Sequence, residues 1–241
     1  ILTADASPAN PLALTQRHRV TRTFVVPAAL TLLLDMVDGI ENPPRLKGIF
    51  YGAAPMSIPL LKRCIDTFGC RFGQFYGMTE NCGSVTFLGP DSHDVSRPEL
   101  LRSVGKVLPG MEIEIRDPQG RPCPDGTAGE IWVRSPVLML GYYLRPEASA
   151  EVMIDGWYRT GDGGYFDAEG YLFLTDRIKD LIISGGENVY PIEVENALRT
   201  HPAIRDVVVI GVPDPLWGEA VAAVVEWKDG ATATLEELRA H

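Results

Sequence analysis

Residues 46–78 read LKGIFYGAAPMSIPLLKRCIDTFGCRFGQFYGM, and the order of elements in that stretch decides the fold. LKGIFYGAAP opens as a short apolar strand and runs into a turn. In PLLKRCIDTFG the apolar residues Leu60, Leu61, Cys64, Ile65 and Phe68 recur at helical spacing, and Gly69 supplies the stop. CRFGQFYG then reads as another strand. Upstream, HRVTRTFVVP predicts a strand and PAALTLLLDMVDGI a core helix that ends near Gly39. Strand and helix alternating in this way predict a layered α/β domain with parallel pairing, here a partial one over residues 1–95.

Working outward from that stretch, the pattern changes twice. Over 96–175 it becomes all-β: MEIEI alternates apolar and acidic residues, and GEIWVR and GYLFLT are strands. DPQG, PDGTAG, IDG and DAEG supply the turns between them, which predicts a small β-barrel subdomain. Over 176–241 charged residues and a glycine pair lead into a helix opened by Pro191, at the position where its missing N–H costs least. DVVVIGVP and AVAAVVEW follow as strands, and TLEELRA begins a helix. This zone reads as a small, mobile α+β C-terminal domain, incomplete at its end.

Composition narrows the function. The 22 Lys and Arg against 32 Asp and Glu leave a formal charge of −10 on 241 residues, a surface that repels nucleic acid and anionic membranes. No apolar run reaches the roughly 18 residues of a membrane helix. Cys64, Cys70, Cys82 and Cys123 fall in no CxxC or CxxH pattern, so reduced thiols and a cytoplasmic location are the plain reading. The chain opens at Ile1 without a basic-plus-apolar leader and reads as a piece of something longer. A partial α/β sheet leaves apolar faces without partners, which predicts packing against the missing part or association into a homo-oligomer.

Standard catalytic patterns are missing. Gly105-Lys106 lacks the partner glycine and hydroxyl residue of a phosphate loop. GDGGYF from Gly161 puts Phe166 where a dinucleotide fingerprint needs glycine, and HExxH and GxSxG do not occur. His18, His93, His201 and His241 are scattered, as surface or helix-cap residues are.

Five segments nevertheless occur in a telling order. They are Gly52-Ala53-Ala54-Pro55, Gln74-Phe75-Tyr76-Gly77-Met78-Thr79-Glu80, Tyr158-Arg159-Thr160-Gly161-Asp162, Asp176-Arg177-Ile178-Lys179-Asp180, and SGGENVYPIEVE over 184–195. In order and spacing they resemble the signature segments of the acyl-adenylate-forming superfamily, which includes acyl-CoA synthetases, peptide-synthetase adenylation domains and firefly-type luciferases. The last run, with DVVVIGVPDPLWGEAV after it, looks most like the fatty- and medium-chain acyl-CoA synthetase branch.

The resemblance implies a role for each segment. Gly52 to Pro55 form one wall of an adenine site, with a strand-to-helix turn started by Pro55 and Ser57 as the compatible structural reading. Gln74, Tyr76, Gly77 and Met78 belong to the nucleotide site; Tyr76 stacks on adenine, and Gly77, at a turn that ends the strand, allows a close approach. Thr79 offers its hydroxyl to the α-phosphate and Glu80 a hard oxygen to Mg²⁺; the competing reading makes Thr79 a helix N-cap. Asp162 accepts hydrogen bonds from both ribose hydroxyls, or is a turn aspartate in an Asp-Gly pair, with Gly163 where the family often has a bulky residue. Arg177 adds a second ribose contact, Lys179 is a hinge between large and small domains, and Gly185, Gly186 and Glu187 line a pantetheine channel.

These roles imply an AMP-forming acid–thiol ligase that uses ATP, Mg²⁺ and CoA on a carboxylic acid, fatty acids foremost. The alternatives are transfer to a carrier-protein thiol and a nucleotide-binding fragment without catalysis. The family's phosphate-gripping loop would precede Ile1 and its transition-state lysine would follow His241, so the isolated chain is expected to be inactive.

Overall fold

A computed structural model describes residues 9–37, 45–54, 56–177 and 180–241, apart from the side chains of 9–12, 176, 177 and 188. The chain divides into two compact units, one of 1–113, 133–158 and 166–173, the other of 114–132, 159–165 and 174–241. Among the described residues the strands form three sheets. The architecture is a mixed α/β sheet, a curled antiparallel half-barrel sheet and a small C-terminal α+β region, the class expected from the sequence.

The first sheet lies in the first unit. After α1 (Ala9–Arg17), it is built from β1 (Arg22–Val25), β2 (Gly48–Gly52), β3 (Arg71–Met78), β4 (Gly83–Leu88) and β5 (Lys106–Val107), side by side in that order. β1, β2 and β3 are parallel, in the register Arg22↔Gly48↔Arg71. β4 and β5, which the sequence reading did not include, run antiparallel. Only four residues separate Met78 from Gly83, too few for the dozen or more that a parallel crossover needs.

The crossovers are α2 (Pro27–Val37) and α3 (Ile58–Phe68). They bury Leu30, Leu34, Leu61 and Cys64 against Ile49, Tyr51 and Phe72 of the sheet. Ser57 caps α3 by accepting from Leu60 N at 3.3 Å, and Gly69 closes it in the left-handed conformation. Because side chains alternate along a strand, the other face carries Phe24, Phe50, Phe75 and Phe87. Phe75 and Phe87 stack with ring centroids 4.5 Å apart, and Phe24 and Phe50 tilt against Phe75 at 6.3 and 5.9 Å.

The second sheet has the order β10-β9-β7-β6, with β8 beside β9. Its strands are β6 (Glu112–Arg116), β7 (Gly129–Arg134), β8 (Met153–Ile154), β9 (Trp157–Phe166) and β10 (Leu172–Arg177), and α4 (Pro146–Val152) precedes β8. The third sheet, order β12-β11-β14-β13, belongs to the second unit. It comprises β11 (Ile182–Ser184), β12 (Glu187–Val189), β13 (Ile204–Asp214) and β14 (Gly218–Trp227), with α5 (Pro191–Arg199) and α6 (Leu235–Ala240). Ile182, Leu198, Ile204, Val207 and Val209 form its core. Pro191 sits in the first turn of α5, and Thr234 and Glu237 close a capping box at α6.

Candidate functional site

In the first unit, β2 ends at Gly52, opposite Phe75, while β3 runs on to Met78 beside β4, so Gly52–Ala54, Tyr76–Met78 and the following Thr79–Glu80 lie at the carboxyl edge of the parallel strands. That edge is where open α/β sheets bind ligands. Gly52 is pressed against β3, since a Cβ there would lie 2.5 Å from Phe75 O. Ala53 adopts a φ of 66°, and Ala53 and Ala54 are exposed; Pro55 lies outside the described residues.

Tyr76 is 8% exposed at the end of β3. Gln74 is buried, with its Oε1 3.3 Å from the Tyr51 hydroxyl. Gly77 corrects the sequence reading: it sits within β3, after a register shift, and the strand continues to Met78. A Cβ at Gly77 would lie 2.1 Å from Gly83 O and 2.5 Å from Ser84 Cα, so the close approach that demands glycine is by β4.

Residues 79–81 form a 3-10 turn closed by Cys82 in the left-handed conformation (φ 55°). Met78 holds the cap position and no side chain caps this turn, which overturns the reading of Thr79 as an N-cap. The Thr79 side chain is exposed, and Glu80 is half-buried.

Glu80 is held at two points. Its carbonyl accepts from Met139 N at 2.7 Å, and its Oε1 accepts from the Tyr142 hydroxyl at 2.9 Å. Tyr142 also hydrogen-bonds Tyr158; burial, followed by the Glu80 carboxylate, pushes its phenol above the usual range. Next to Glu80, Asn81 is 1% exposed, and neither polar atom of its amide has a partner among the described residues.

Mg²⁺ fits this chemistry. Mg²⁺ is ordinarily bound by one or two carboxylates together with substrate phosphates rather than by an all-protein cage. Glu80 supplies one carboxylate, and no group of three or more His, Cys, Asp or Glu gathers among the described residues.

In the second unit, Asp162 lies inside β9 and is half-buried, which overturns its reading as a turn aspartate. Gly161 before it takes a φ of 72°, and Asp162 N donates to Thr160 Oγ1 at 3.0 Å. Arg159 of the same segment grips Glu130 through Nε and Nη2 at 3.0 and 2.9 Å. The side chain of Arg177 and all of Lys179 lie outside the described residues.

Gly185 and Gly186 form the two-residue turn between β11 and β12, with φ of 60° and 87° and Ser184 paired to Glu187. Both left-handed positions suit glycine and match the twist of a hairpin. Gly185 N donates to Trp217 O at 2.8 Å, and a Cβ on Gly185 would lie 2.6 Å from the Trp217 ring. Glu187 is exposed.

Sequence reasoning therefore missed Tyr142, the role of Tyr158, Asn81 and Trp217. Tyr142 was hidden in a Tyr-Tyr pair. Leu144, with a φ of 54°, reverses the chain so that Tyr142 turns inward and Tyr143 is left 88% exposed. Reading His93 as a cap residue holds for its backbone, but its ring is packed on Tyr51.

Residues 1–143 match the model of the AMP-binding enzyme family, and 193–241 match that of the AMP-binding enzyme C-terminal domain. The fatty acid–[acyl-carrier-protein] ligase ScoC of Streptomyces coeruleorubidus is 41% identical over 220 residues, 91% of this chain and 42% of its own length. The amide bond synthetase McbA of Marinactinospora thermotolerans superposes with a TM-score of 0.86 at 42% identity, over 99% of this chain and 49% of McbA. The o-succinylbenzoate CoA synthetase MenE of Bacillus subtilis, in complex with ATP and magnesium ion, superposes at 0.83 with 36% identity, over 97% of this chain and 47% of MenE. The chain thus spans less than half the length of each of these relatives.

Proposed function

The chain belongs to the AMP-binding enzyme family, and from that premise we propose that its protein is an AMP-forming acid–thiol ligase. A carboxylic acid, fatty acids foremost, attacks the α-phosphorus of ATP; the bond to pyrophosphate breaks, and acyl-AMP forms. The thiol of CoA then takes the acyl group and AMP leaves. The observation that carries this reading is the placement of Tyr76, Thr79 and Glu80 at the carboxyl edge of parallel β2 and β3.

Each residue has work suited to its chemistry. Tyr76 gives its remaining accessible surface to the adenine, a contact of about 1–3 kcal/mol for a stacked base. Gly52, Ala53, Ala54 and Pro55 border the purine, and Thr79 donates its hydroxyl to the α-phosphate. Mg²⁺ held at Glu80 would neutralise phosphate charge. Asp162 accepts from the ribose hydroxyls, where bonds to a charged acceptor contribute about 1.5–3 kcal/mol each, and Arg177 adds a ribose contact. Lys179 is assigned the hinge, and Gly185, Gly186 and Glu187 the path of the pantetheine arm.

Carboxylate-dependent ATP–pyrophosphate exchange by the full-length protein tests the proposal. Glu80→Gln is expected to slow it by roughly 100-fold or more, within the range for electrostatic groups at a reacting centre. An unchanged exchange rate would refute the assignment. The 241 residues alone, spanning under half of their relatives, are expected to make little acyl-AMP, and brisk exchange by this chain would contradict that.

The likeness to ScoC favours a second reading, in which the acceptor is a carrier-protein thiol. Turnover with free CoA separates the two.

A further inference from the structure

The loop between β7 and α4 reaches Glu80 twice, through Met139 N to the Glu80 carbonyl at 2.7 Å and through the Tyr142 hydroxyl to Glu80 Oε1 at 2.9 Å. Tyr142 is itself anchored. Its N–H donates to Ser149 Oγ at 2.8 Å, and Ser149 Oγ donates to Arg145 O at 2.8 Å, which ties residue 142 to the start of α4. Gly141 backs onto the same hydroxyl, where a Cβ would lie 3.0 Å from Ser149 Oγ.

The phenol also hydrogen-bonds the buried Tyr158. A phenol has one proton. Since Tyr142 gives its proton to Glu80, it accepts from Tyr158, and the chain runs in one direction from Tyr158 to Tyr142 to Glu80. A glutamate side chain has three rotatable bonds, and this chain fixes one carboxylate oxygen while leaving Oε2 without a partner among the described residues.

We propose that Tyr142 is a positioning residue for Glu80: its hydroxyl holds Oε1 so that Oε2 is presented, already oriented, to a divalent cation bound with a nucleoside triphosphate. Outer partners of this kind orient the groups that touch the metal. The proposal rests on reading Glu80 as the cation-binding carboxylate.

The test measures Mn²⁺ binding to the full-length protein in the presence of ATP, from the paramagnetic resonance signal of free Mn²⁺. The variants are Glu80→Gln, Tyr142→Phe, the double variant and Ser149→Ala, each checked for folding by circular dichroism. Tyr142→Phe is expected to weaken Mn²⁺ binding by roughly tenfold, the range seen when an outer partner of a ligand is removed. It should add nothing further in the Glu80→Gln background, because it acts through Glu80.

The Mg²⁺ concentration for half-maximal pyrophosphate exchange should rise in parallel, with kcat at saturating Mg²⁺ within about a factor of two of its original value. Ser149→Ala, which loosens residue 142 without touching the phenol, should shift binding in the same direction by less, and it carries the test if Tyr142→Phe does not fold. Unchanged Mn²⁺ affinity in the folded variants, or an equal loss with and without Glu80, overturns the role of Tyr142 alone. Unchanged affinity in Glu80→Gln overturns the reading of Glu80 and the proposal with it.

Discussion

The hydroxyl of Tyr51 lies 3.1 Å from Nε2 of His93, and the two rings meet edge-on with centroids 5.7 Å apart. Nδ1 of His93 is 2.9 Å from the Gly89 carbonyl, which can only accept, so the proton of the neutral ring sits on Nδ1. Burial holds this imidazole below its ordinary value of 6.5, with the Gly89 bond as a smaller opposing effect.

A pH dependence follows from that depression. The folded protein resists protonation of His93, whereas the unfolded chain takes its proton near pH 6.5, so between the two values the unfolded state binds more protons. The contribution of neutral His93 is therefore full above about pH 6.5 and is lost as pH falls towards the lower folded value. Urea denaturation from pH 5 to 8 should show this slope and should show it flattened in His93→Gln; identical slopes would exclude His93 as its source.

Gly77→Ala should be strongly destabilising. The new methyl group meets the β4 backbone at 2.1 Å, and backbone cannot step aside as a side chain tip can. A loss of about 2–3 kcal/mol or more is expected on overpacking grounds. In Gly48→Ala the nearest atom is 3.6 Å away, so that variant should stay far closer to the original stability. Equal midpoints for the two would contradict the close approach.

Thiol labelling should sort the cysteines. Burial pushes the thiols of Cys64 and Cys70 up to about 11, leaving little thiolate at pH 8. Cys82 is exposed. Ellman's reagent should react with Cys82 first and with Cys64 only on unfolding; early mass-detected modification of Cys64 would count against this packing.

Gly185→Ala should separate two steps of the proposed reaction. The added methyl group strikes the Trp217 ring at 2.6 Å in a backbone conformation that disfavours side chains. Thioester formation is expected to fall by tenfold or more, about 1.4 kcal/mol, while pyrophosphate exchange changes much less. Equal losses in both steps would remove the glycine turn from the thiol path.

Several features were legible because one residue type settles one backbone choice. Gly69 as helix stop and Pro191 at the head of α5 are both of this kind. The direction of β4 was also within reach, from the four-residue gap after Met78. For Asp162 the competing reading, a turn aspartate of an Asp-Gly pair, fails because here the left-handed residue is Gly161 and the strand runs on. Tyr142 could not be chosen over Tyr143 from composition. The inward residue of that pair is selected by the reversal at Leu144, a position where a left-handed conformation is uncommon and so left no mark in the sequence.

The register of β2 and β3 sets a parity rule for anyone who grafts or recombines this segment. Tyr76 and Phe75 point to opposite sides of one ribbon, so a single residue inserted between Arg71 and Phe75 would exchange them, sending the phenol among the three remaining phenylalanines and a hydrocarbon ring to the face that carries Tyr51. Crossovers between homologous genes should therefore fall in the exposed turn after Gly52 or beyond Cys82, where a change in length leaves the handed order of the strand intact.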